Sequence, residues 1–194
     1  MIEVRALSRD ELTARLDDLA RLRITVFRDW PYLYDGDMAY ERRYLAPLLD
    51  SSEALVAGAF DGKRLVGATT AAPLEGHAED FAAAFDGSPQ ELSDIYYLAE
   101  SVLLPDYRGQ GIGHRFFDIR EARGRELGRG YAAFCAVERP ADHPMRPSGH
   151  RPLDDFWQGR GYQKLPGVVA QFPWKDLAKT EESPKPLQFW IRKL

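Results

Sequence analysis

A strand followed by a glycine-rich turn and then a helix is the feature that most constrains how this chain can fold. Residues 103–114 read LLPDYRGQGIGH and contain Gly109, Gly111 and Gly113. Glycine adopts positive φ angles and allows another molecule to approach the backbone closely. At the start of a helix the backbone N–H groups lack partners, and the helix dipole favours negative charge. The segment is therefore a predicted site for a phosphate or pyrophosphate group.

The spacing of these glycines shows which of the known phosphate-binding patterns the segment can match. The dinucleotide fingerprint G-x-G-x-x-G fails, because its last glycine would fall on His114 or Phe116. The P-loop fails because no Gly-Lys-Ser/Thr follows. The pattern Arg-x-x-Gly-x-Gly is present, formed by Arg108, Gly111 and Gly113 directly after a strand. It resembles the acyl-CoA pyrophosphate loop of the GNAT superfamily of N-acetyltransferases. A simple helix-capping turn is the alternative. However, folding three glycines within five residues costs conformational entropy that an ordinary turn does not need to lose.

Length and composition favour a globular protein without membrane or nucleic-acid partners. With 194 residues, 44% of them hydrophobic and 29% charged, we expect residues 1–194 to form a single GNAT-type domain. Cys135 is the only cysteine, which excludes an intrachain disulfide and favours a reducing compartment. A signal core and a membrane-length apolar run are both absent from the sequence, so a cytoplasmic location is expected. The net charge of −4 argues against a general nucleic-acid binder.

Hydrophobic periodicity predicts a chain that alternates between strands and helices. Predicted strands cover residues 3–7, 54–60, 64–70, 95–104, 131–137, 168–174 and 187–194. Predicted helices run from about residue 10 to Pro31, and over residues 38–49, 79–85, 111–127 and 153–159. This order predicts an α/β (α+β) fold with a mixed, mostly antiparallel central sheet flanked by helices. The resemblance to GNAT enzymes implies that the sheet is splayed at the acyl-CoA cleft. The sequence SPKP at 183–186 is expected to separate the last two strands, and an exposed final strand would allow a homodimer.

The resemblance implies transfer of an acyl group, usually acetyl, from CoA to an amine. Acetyl-CoA is therefore the expected co-substrate, and no metal is expected. The backbone amides of the glycine turn would hold its pyrophosphate, and the end of the preceding strand would bind the pantetheine arm through its backbone. The candidate cofactor-binding residues are Val102, Leu103, Leu104, Arg108, Gly109, Gln110, Gly111, Ile112 and Gly113. His143 and His150 form only a weak metal-binding pattern, because no cysteine or helical i, i+4 partner accompanies them.

Deprotonation of the amine requires a general base. Glu100 is the first candidate, because it is a carboxylate in an otherwise apolar strand at a position where family members often carry an acidic residue. A solvent-facing strand glutamate is the equally weighted alternative, and Glu138 at the end of the next strand is a weaker candidate. The family's usual acid is a tyrosine, but Trp157 stands at that position, and an indole N–H is not a useful proton donor. Tyrosines lie elsewhere near the strand, without support from spacing: Tyr96, Tyr97 and Tyr107. No acid is therefore assigned, and Tyr162 is expected in the core.

A cluster of aromatic residues predicts the acceptor pocket. Phe27, Trp30, Tyr32 and Tyr34 lie at a corner between two predicted helices, together with Asp29, Asp35 and Asp37. Aromatic rings and carboxylates bind amines by cation–π and charge contacts, although packing of the corner onto the core is an equal alternative for Trp30. The proline-rich loop 139–152 is expected to act as a lid or as part of this pocket. Cys135, in an apolar strand, is expected to be a buried structural thiol rather than a nucleophile.

These observations favour an acetyltransferase acting on a primary amine of a small molecule by direct attack. Two alternatives remain open at this point. A CoA-binding sensor without turnover fits the tryptophan at the position of the acid, and an enzyme that modifies a protein lysine or N-terminus shares the same cofactor loop.

Overall fold

The computed structural model describes residues 2–194. Its strands are β1 (Glu3–Ala6), β2 (Leu55–Asp61), β3 (Arg64–Pro73), β4 (Ile95–Leu103), β5 (Tyr131–Val137), β6 (Gln163–Lys175) and β7 (Glu182–Lys193). Its α-helices are α1 (Arg9–Ala14), α2 (Leu16–Phe27), α3 (Met38–Leu45), α4 (Pro47–Asp50), α5 (Ala78–Phe81), α6 (Ile112–Glu126) and α7 (Asp154–Gly159). Short 3-10 turns link several of these elements, including Pro105–Tyr107 just before the glycine turn.

The strands form one sheet in the order β1-β2-β3-β4-β5-β7-β6. Every neighbouring pair is antiparallel except β4 and β5, which are parallel. The single parallel pair follows from the chain path, because α6 crosses over between β4 and β5. The predicted mixed, mostly antiparallel sheet flanked by helices is confirmed.

The parallel pair separates soon after it begins. β4 and β5 pair only at their first three positions, from Ile95 with Tyr131 to Tyr97 with Ala133. β4 continues to Leu103 paired with β3 alone, whereas β5 continues to Val137 paired with β7 alone. The predicted splay of the sheet is therefore present, and it opens toward the C-terminal ends of β4 and β5.

Alternate residues of the central strands face two helical layers, as the two-residue period of a strand requires. On β4, Tyr97 faces the layer that contains α5 and the inner side of β6 and β7. Its neighbours Tyr96 and Leu98 face the layer formed by α6 and α7. Helix α2 covers the β2–β4 part of the first face. The two layers bury the sheet on both sides and fix the direction in which β4 presents each side chain.

The first helical region begins as predicted but is interrupted. Ser8 caps α1 in a reciprocal capping box with Glu11. The predicted continuous helix to Pro31 is wrong in detail, because Arg15 leaves the helical conformation (φ −113°, ψ 11°) and divides it into α1 and α2. The predicted helix 38–49 is likewise divided into α3 and α4 at Pro47, whose missing N–H cannot continue a helical hydrogen bond.

The prediction for the last two strands needs a larger correction. Residues 183–186 do not separate them but belong to β7, where Pro184 pairs with Pro173 of β6. Prolines are tolerated here because β5 pairs with β7 only from Leu187 onward, which leaves this end of β7 with one partner strand. The final strand is also not exposed at an edge, because β7 lies between β5 and β6. The expected strand-to-strand dimer through residues 187–194 therefore loses its basis.

Across residues 2–194, none of the helices combines the length and apolarity needed to cross a membrane.

Candidate active site

The glycine turn forms an open cradle at the start of α6. Gly109 and Gly111 adopt φ angles of 74° and 76°, the left-handed region that favours glycine. A Cβ atom built at either position would meet nothing within 4 Å, so the space beside the backbone is free. Gly111 caps α6 without a side-chain hydrogen bond, and the first turn of the helix contains no acidic residue. The free N–H groups and the dipole of α6 therefore fit an anionic group such as a pyrophosphate.

The end of β4 leads from this cradle into the splay. β5 has separated from β4 in this part of the sheet. Two backbone carbonyls of β4 there accept hydrogen bonds from side chains instead of from β5. The Glu100 carbonyl accepts from Arg120 Nη1 at 3.1 Å and from Thr69 Oγ1 at 2.7 Å. The Leu103 carbonyl accepts from Arg108 Nε at 3.3 Å. The side chain of Val102 is fully buried, so only its backbone is available to a ligand.

A cavity of about 110 Å³ lies on one face of the splayed sheet. The α2–α3 corner covers it on one side and the strands β4 to β7 form the other. Fourteen residues line it: Arg23, Phe27, Tyr32, Tyr34, Tyr40, Tyr44, Phe81, Tyr97, Ala99, Glu100, Cys135, Phe172, Trp174 and Leu187. The predicted base, Glu100, is thus brought together with Phe27, Tyr32 and Tyr34 of the predicted acceptor corner.

A buried ion cluster underlies this cavity. Arg23 forms ion pairs with both Glu41 and Glu100. The three side chains are 6%, 0% and 6% exposed, respectively. One guanidinium therefore faces two carboxylates in a low-dielectric environment, where an unpaired charge is costly. The Oε1 atom of Glu100 is buried without a hydrogen-bond partner, and so is the Oε1 atom of Glu41.

The remaining titratable groups of the cavity are held neutral. Burial raises the pKa of the Cys135 thiol to about 12, and the Tyr97 hydroxyl lies 3.2 Å from its sulfur. Burial is also the main cause of the raised pKa of Tyr97 and of Tyr32. The pKa of Tyr34 is raised by burial and by the nearby Glu41 carboxylate. The interpretation of Cys135 as a structural thiol is consistent with this environment.

A second buried ion network fixes the α2–α3 corner above the cavity. Arg139 donates to the carbonyls of Pro31 at 2.9 Å and Tyr32 at 2.7 Å. Its other side-chain hydrogen bonds reach both carboxylate oxygens of Asp176 at 2.8 and 2.9 Å. Trp174 Nε1 donates to the Tyr32 carbonyl at 3.0 Å, so the strand β6 and the loop after β5 jointly position this part of the corner.

Trp30 does not line the cavity. Its ring packs between His143 and His150 of the proline-rich loop, at centroid distances of 5.2 and 5.8 Å. The loop therefore covers the outer side of the corner. Within residues 2–194, no three histidine, cysteine or acidic side chains are arranged to hold a metal ion.

Two of the three acidic residues of the corner have structural partners. Asp35 forms an ion pair with Lys175 at 2.7 Å, and hydrogen bonding to that lysine is the main cause of its lowered pKa. Asp37 caps α3 by accepting from the N–H groups of Ala39 and Tyr40.

The other candidates for proton transfer lie in different environments. Trp157 packs against Phe134 and Trp190 in the layer opposite the cavity. Tyr162 is buried in the same layer, where its hydroxyl donates to Glu121 Oε1 at 2.9 Å. Of the three tyrosines near the strand, only Tyr97 lines the cavity. The other two hydroxyls bind the Glu53 carbonyl and the Asp61 carboxylate.

Sequence reasoning missed Arg23 and Glu41 because both belong to amphipathic helices in which a charged residue is expected to face solvent. A cationic residue on the apolar face of α2 is the one signal that was present. Arg23 lies four residues after Leu19 and one after Leu22, and both of these leucines are buried.

Comparisons with known proteins agree with this architecture. Residues 18–147 match the model of the acetyltransferase (GNAT) family. No curated protein sequence shows a significant match to the chain. Among solved structures, the ribosomal-protein-alanine N-acetyltransferase of Brucella melitensis has a TM-score of 0.64 at 13% identity and covers 99% of both chains. The polyamine N-acetyltransferase of Drosophila melanogaster, which forms N-acetylagmatine, has a TM-score of 0.63 at 15% identity and covers 100% of both chains. The PaiA N-acetyltransferase of Thermoplasma acidophilum, solved with coenzyme A, has a TM-score of 0.59 at 14% identity and covers 100% of this chain and 99% of its own.

These structural similarities establish the fold, and the family match spans most of the chain. The chain therefore belongs to the GNAT family and is an acetyl-CoA-dependent N-acetyltransferase.

Proposed function

We propose that this protein transfers an acetyl group from acetyl-CoA to the primary amine of a small molecule bound in the aromatic cavity. The observation that carries the proposal is the position of Glu100, whose unpartnered Oε1 atom is buried beside that cavity on the strand that leads to the glycine turn. A carboxylate in this position can bind an ammonium group and accept its proton.

Acetyl-CoA supplies the electrophilic thioester carbonyl. The free amides at Gly109–Gly113 would hold its pyrophosphate, with Arg108 beside them. The backbone of Val102, Leu103 and Leu104 would guide the pantetheine arm along the free edge of β4. This path delivers the thioester toward the splay, because β4 carries the cradle at one end and lines the cavity with Tyr97, Ala99 and Glu100.

The chain's own residues then prepare the acceptor. Glu100 removes one proton from the ammonium group, directly or through a water molecule, and the neutral nitrogen forms a C–N bond with the carbonyl carbon. The C–S bond breaks as the amide forms. The nitrogen loses two protons in total, of which one reaches the departing thiolate and the other passes from Glu100 to solvent.

The small-molecule assignment rests on the size and the walls of the cavity. Phe27, Tyr32 and Tyr34 wall it from the side of the corner, and Arg139 fixes the backbone of that corner from outside. A cavity of about 110 Å³ accommodates a compact group and excludes a folded polypeptide segment. Trp30 would support the corner from its outer side through its contacts with the proline-rich loop.

The proposal is tested by calorimetric titration with acetyl-CoA, followed by a thiol-release screen in the same preparation. The screen covers polyamines, aminoglycosides, amino acids, arylalkylamines and peptides. We expect acetyl-CoA to bind and thiol to be released only when a small amine is present. Gly111→Val should fold but lose acetyl-CoA binding, because its side chain would enter the cradle. Gly87→Val is the matched control, because Gly87 has a similar positive φ of 79° and open space beside it, outside the cradle. Binding without release for every amine would favour a sensor, and release with peptides alone would favour a protein-modifying enzyme.

A further inference from the structure

We propose that the cavity selects a singly charged primary amine carrying a flat apolar body, such as an arylalkylamine, over a di- or polyamine. This inference rests on the proposed function for its reaction but concerns the chemistry of the acceptor. It follows from the charge of the ion cluster, from the position of its unpartnered oxygen and from the walls of the cavity.

The charge of the cluster is the first step. Arg23, Glu41 and Glu100 together carry one more negative charge than positive, and all three side chains are at least nine-tenths buried. Burying an uncompensated charge is unfavourable, so a cation that enters the site is bound with more than its surface affinity. One ammonium group neutralises the net negative charge of the cluster, and a second ammonium group would leave a net positive charge.

In the part of the chain that the structure describes, a second charged network lies behind Trp174, where Arg139 and Lys185 pair with Asp176, but these three side chains do not line the cavity. Apart from Arg23 and Glu100, the cavity is lined by uncharged residues. Burial keeps the Cys135 thiol protonated by raising its pKa. Burial lowers the pKa of His77, whose ring lies 5.3 Å from that of Tyr97, and so favours its neutral form. A second ammonium group would therefore have no anionic partner inside the cavity.

The unpartnered oxygen gives the ammonium group its position. Glu100 Oε1 is buried and makes no hydrogen bond, although its residue lines the cavity. Glu41 does not line the cavity, but it takes part of the charge of the Arg23 guanidinium and also raises the pKa of Tyr34 in the cavity wall. The Arg23 guanidinium lies 4.3 Å from the ring centre of Tyr44 and 5.2 Å from that of Phe27. It therefore occupies one ring face of each of these two residues.

The walls favour a flat apolar body next to the ammonium group. Tyr97, Phe81, Phe172 and Trp174 come from four different elements and surround the same space. Aromatic walls bind a second ring through offset or edge-to-face contacts, which a flexible aliphatic chain cannot form.

Three probes separate these contributions when titrated into the protein saturated with CoA. They are 2-phenylethylamine, the neutral analogue 2-phenylethanol and the dication 1,4-diaminobutane. We expect 2-phenylethylamine to bind at least tenfold more tightly than either of the others, and to be acetylated with at least a tenfold higher kcat/KM than 1,4-diaminobutane. Equal or tighter binding of 1,4-diaminobutane would overturn the inference, as would equal binding of the amine and the alcohol.

Glu41→Gln tests the charge balance without replacing a residue that lines the cavity. It neutralises the cluster, so the affinity for 2-phenylethylamine should fall at least tenfold while that for 2-phenylethanol stays the same. An equal effect on both probes, or no effect on the amine, would contradict the proposed role of the charge. If this variant does not fold, the three-probe comparison in the wild-type protein decides the matter alone. Binding of 2-phenylethylamine without acetylation would contradict the proposed reaction but support the inferred specificity. Acetylation of 1,4-diaminobutane alone would support the reaction and contradict the specificity.

Discussion

Replacing Arg23 by methionine is expected to destabilise the protein by about 3–5 kcal/mol. The side chain is 6% exposed and is the shared counterion of Glu41 and Glu100. Two unit charges about 4 Å apart interact by about 4 kcal/mol at an effective dielectric constant of about 20. Removal of the guanidinium loses two such attractions and leaves two buried carboxylates. Part of the loss is recovered because the desolvation penalty of the arginine disappears as well.

The measurement is urea and thermal unfolding followed by circular dichroism. For a protein of this size, a loss of 1 kcal/mol lowers the midpoint by about 2–4 °C, so we expect a decrease of about 6–20 °C. Arg21→Met is the matched control on the same helix, because that side chain is 62% exposed and pairs with Asp17 and Asp18 at the surface. Its effect should stay within about 0.5 kcal/mol.

A second substitution tests the cause of the effect. Adding Glu41→Gln to Arg23→Met removes one of the two orphaned carboxylates, so the double variant should be more stable than the single one by about 0.5–3 kcal/mol. The reasoning would be refuted if Arg23→Met were as stable as Arg21→Met, or if Glu41→Gln destabilised both backgrounds equally.

Three further predictions concern sites away from the ion cluster. The pKa of Glu11 is lowered to about 2, mainly by Arg5, so its stabilising effect is present above about pH 4.3 and is lost as the pH falls toward 2. Thermal unfolding should show that Glu11→Gln is less stable than wild type at pH 6 and equally stable near pH 2. A difference in stability that does not depend on pH would contradict this. Cys135 should resist iodoacetamide at pH 8 in the native protein and react in urea, because burial raises the pKa of its thiol; rapid native labelling would show that the thiol is accessible. Arg139→Met should raise the KM for the amine more than the KM for acetyl-CoA, because Arg139 holds the Tyr32 carbonyl above the cavity; equal changes in steady-state kinetics would exclude this positioning role.

Features encoded by neighbouring residues could be predicted from the sequence. The capping box of α1, the glycine turn and the strand before it depend on residues within a few positions of each other, so local spacing was sufficient. The order of elements then limited the topology, since a crossover helix between two strands requires a parallel pair. Glu100 stood out because a single carboxylate interrupts an apolar strand.

The remainder depends on contacts between distant parts of the chain. Arg23 and Glu41 lie 18 residues apart on separate helices, and nothing local links either of them to Glu100. The prolines of residues 183–186 indicated a break, but pairing with β6 keeps this segment in β7. Trp30 belonged to the same aromatic run as Tyr32, yet the proline-rich loop, more than a hundred residues later, covers it from outside. Such differences arise in tertiary packing, which overrides local pattern.

The most direct test of the account compares acetyl-CoA affinity with turnover in the variant Glu100→Gln. The account predicts an unchanged dissociation constant for acetyl-CoA and a 10²–10⁴-fold lower kcat at neutral pH, because the amide cannot accept a proton from the ammonium group. Glu138→Gln, at the end of β5, should retain both properties. A Glu100→Gln enzyme with wild-type turnover would contradict the account.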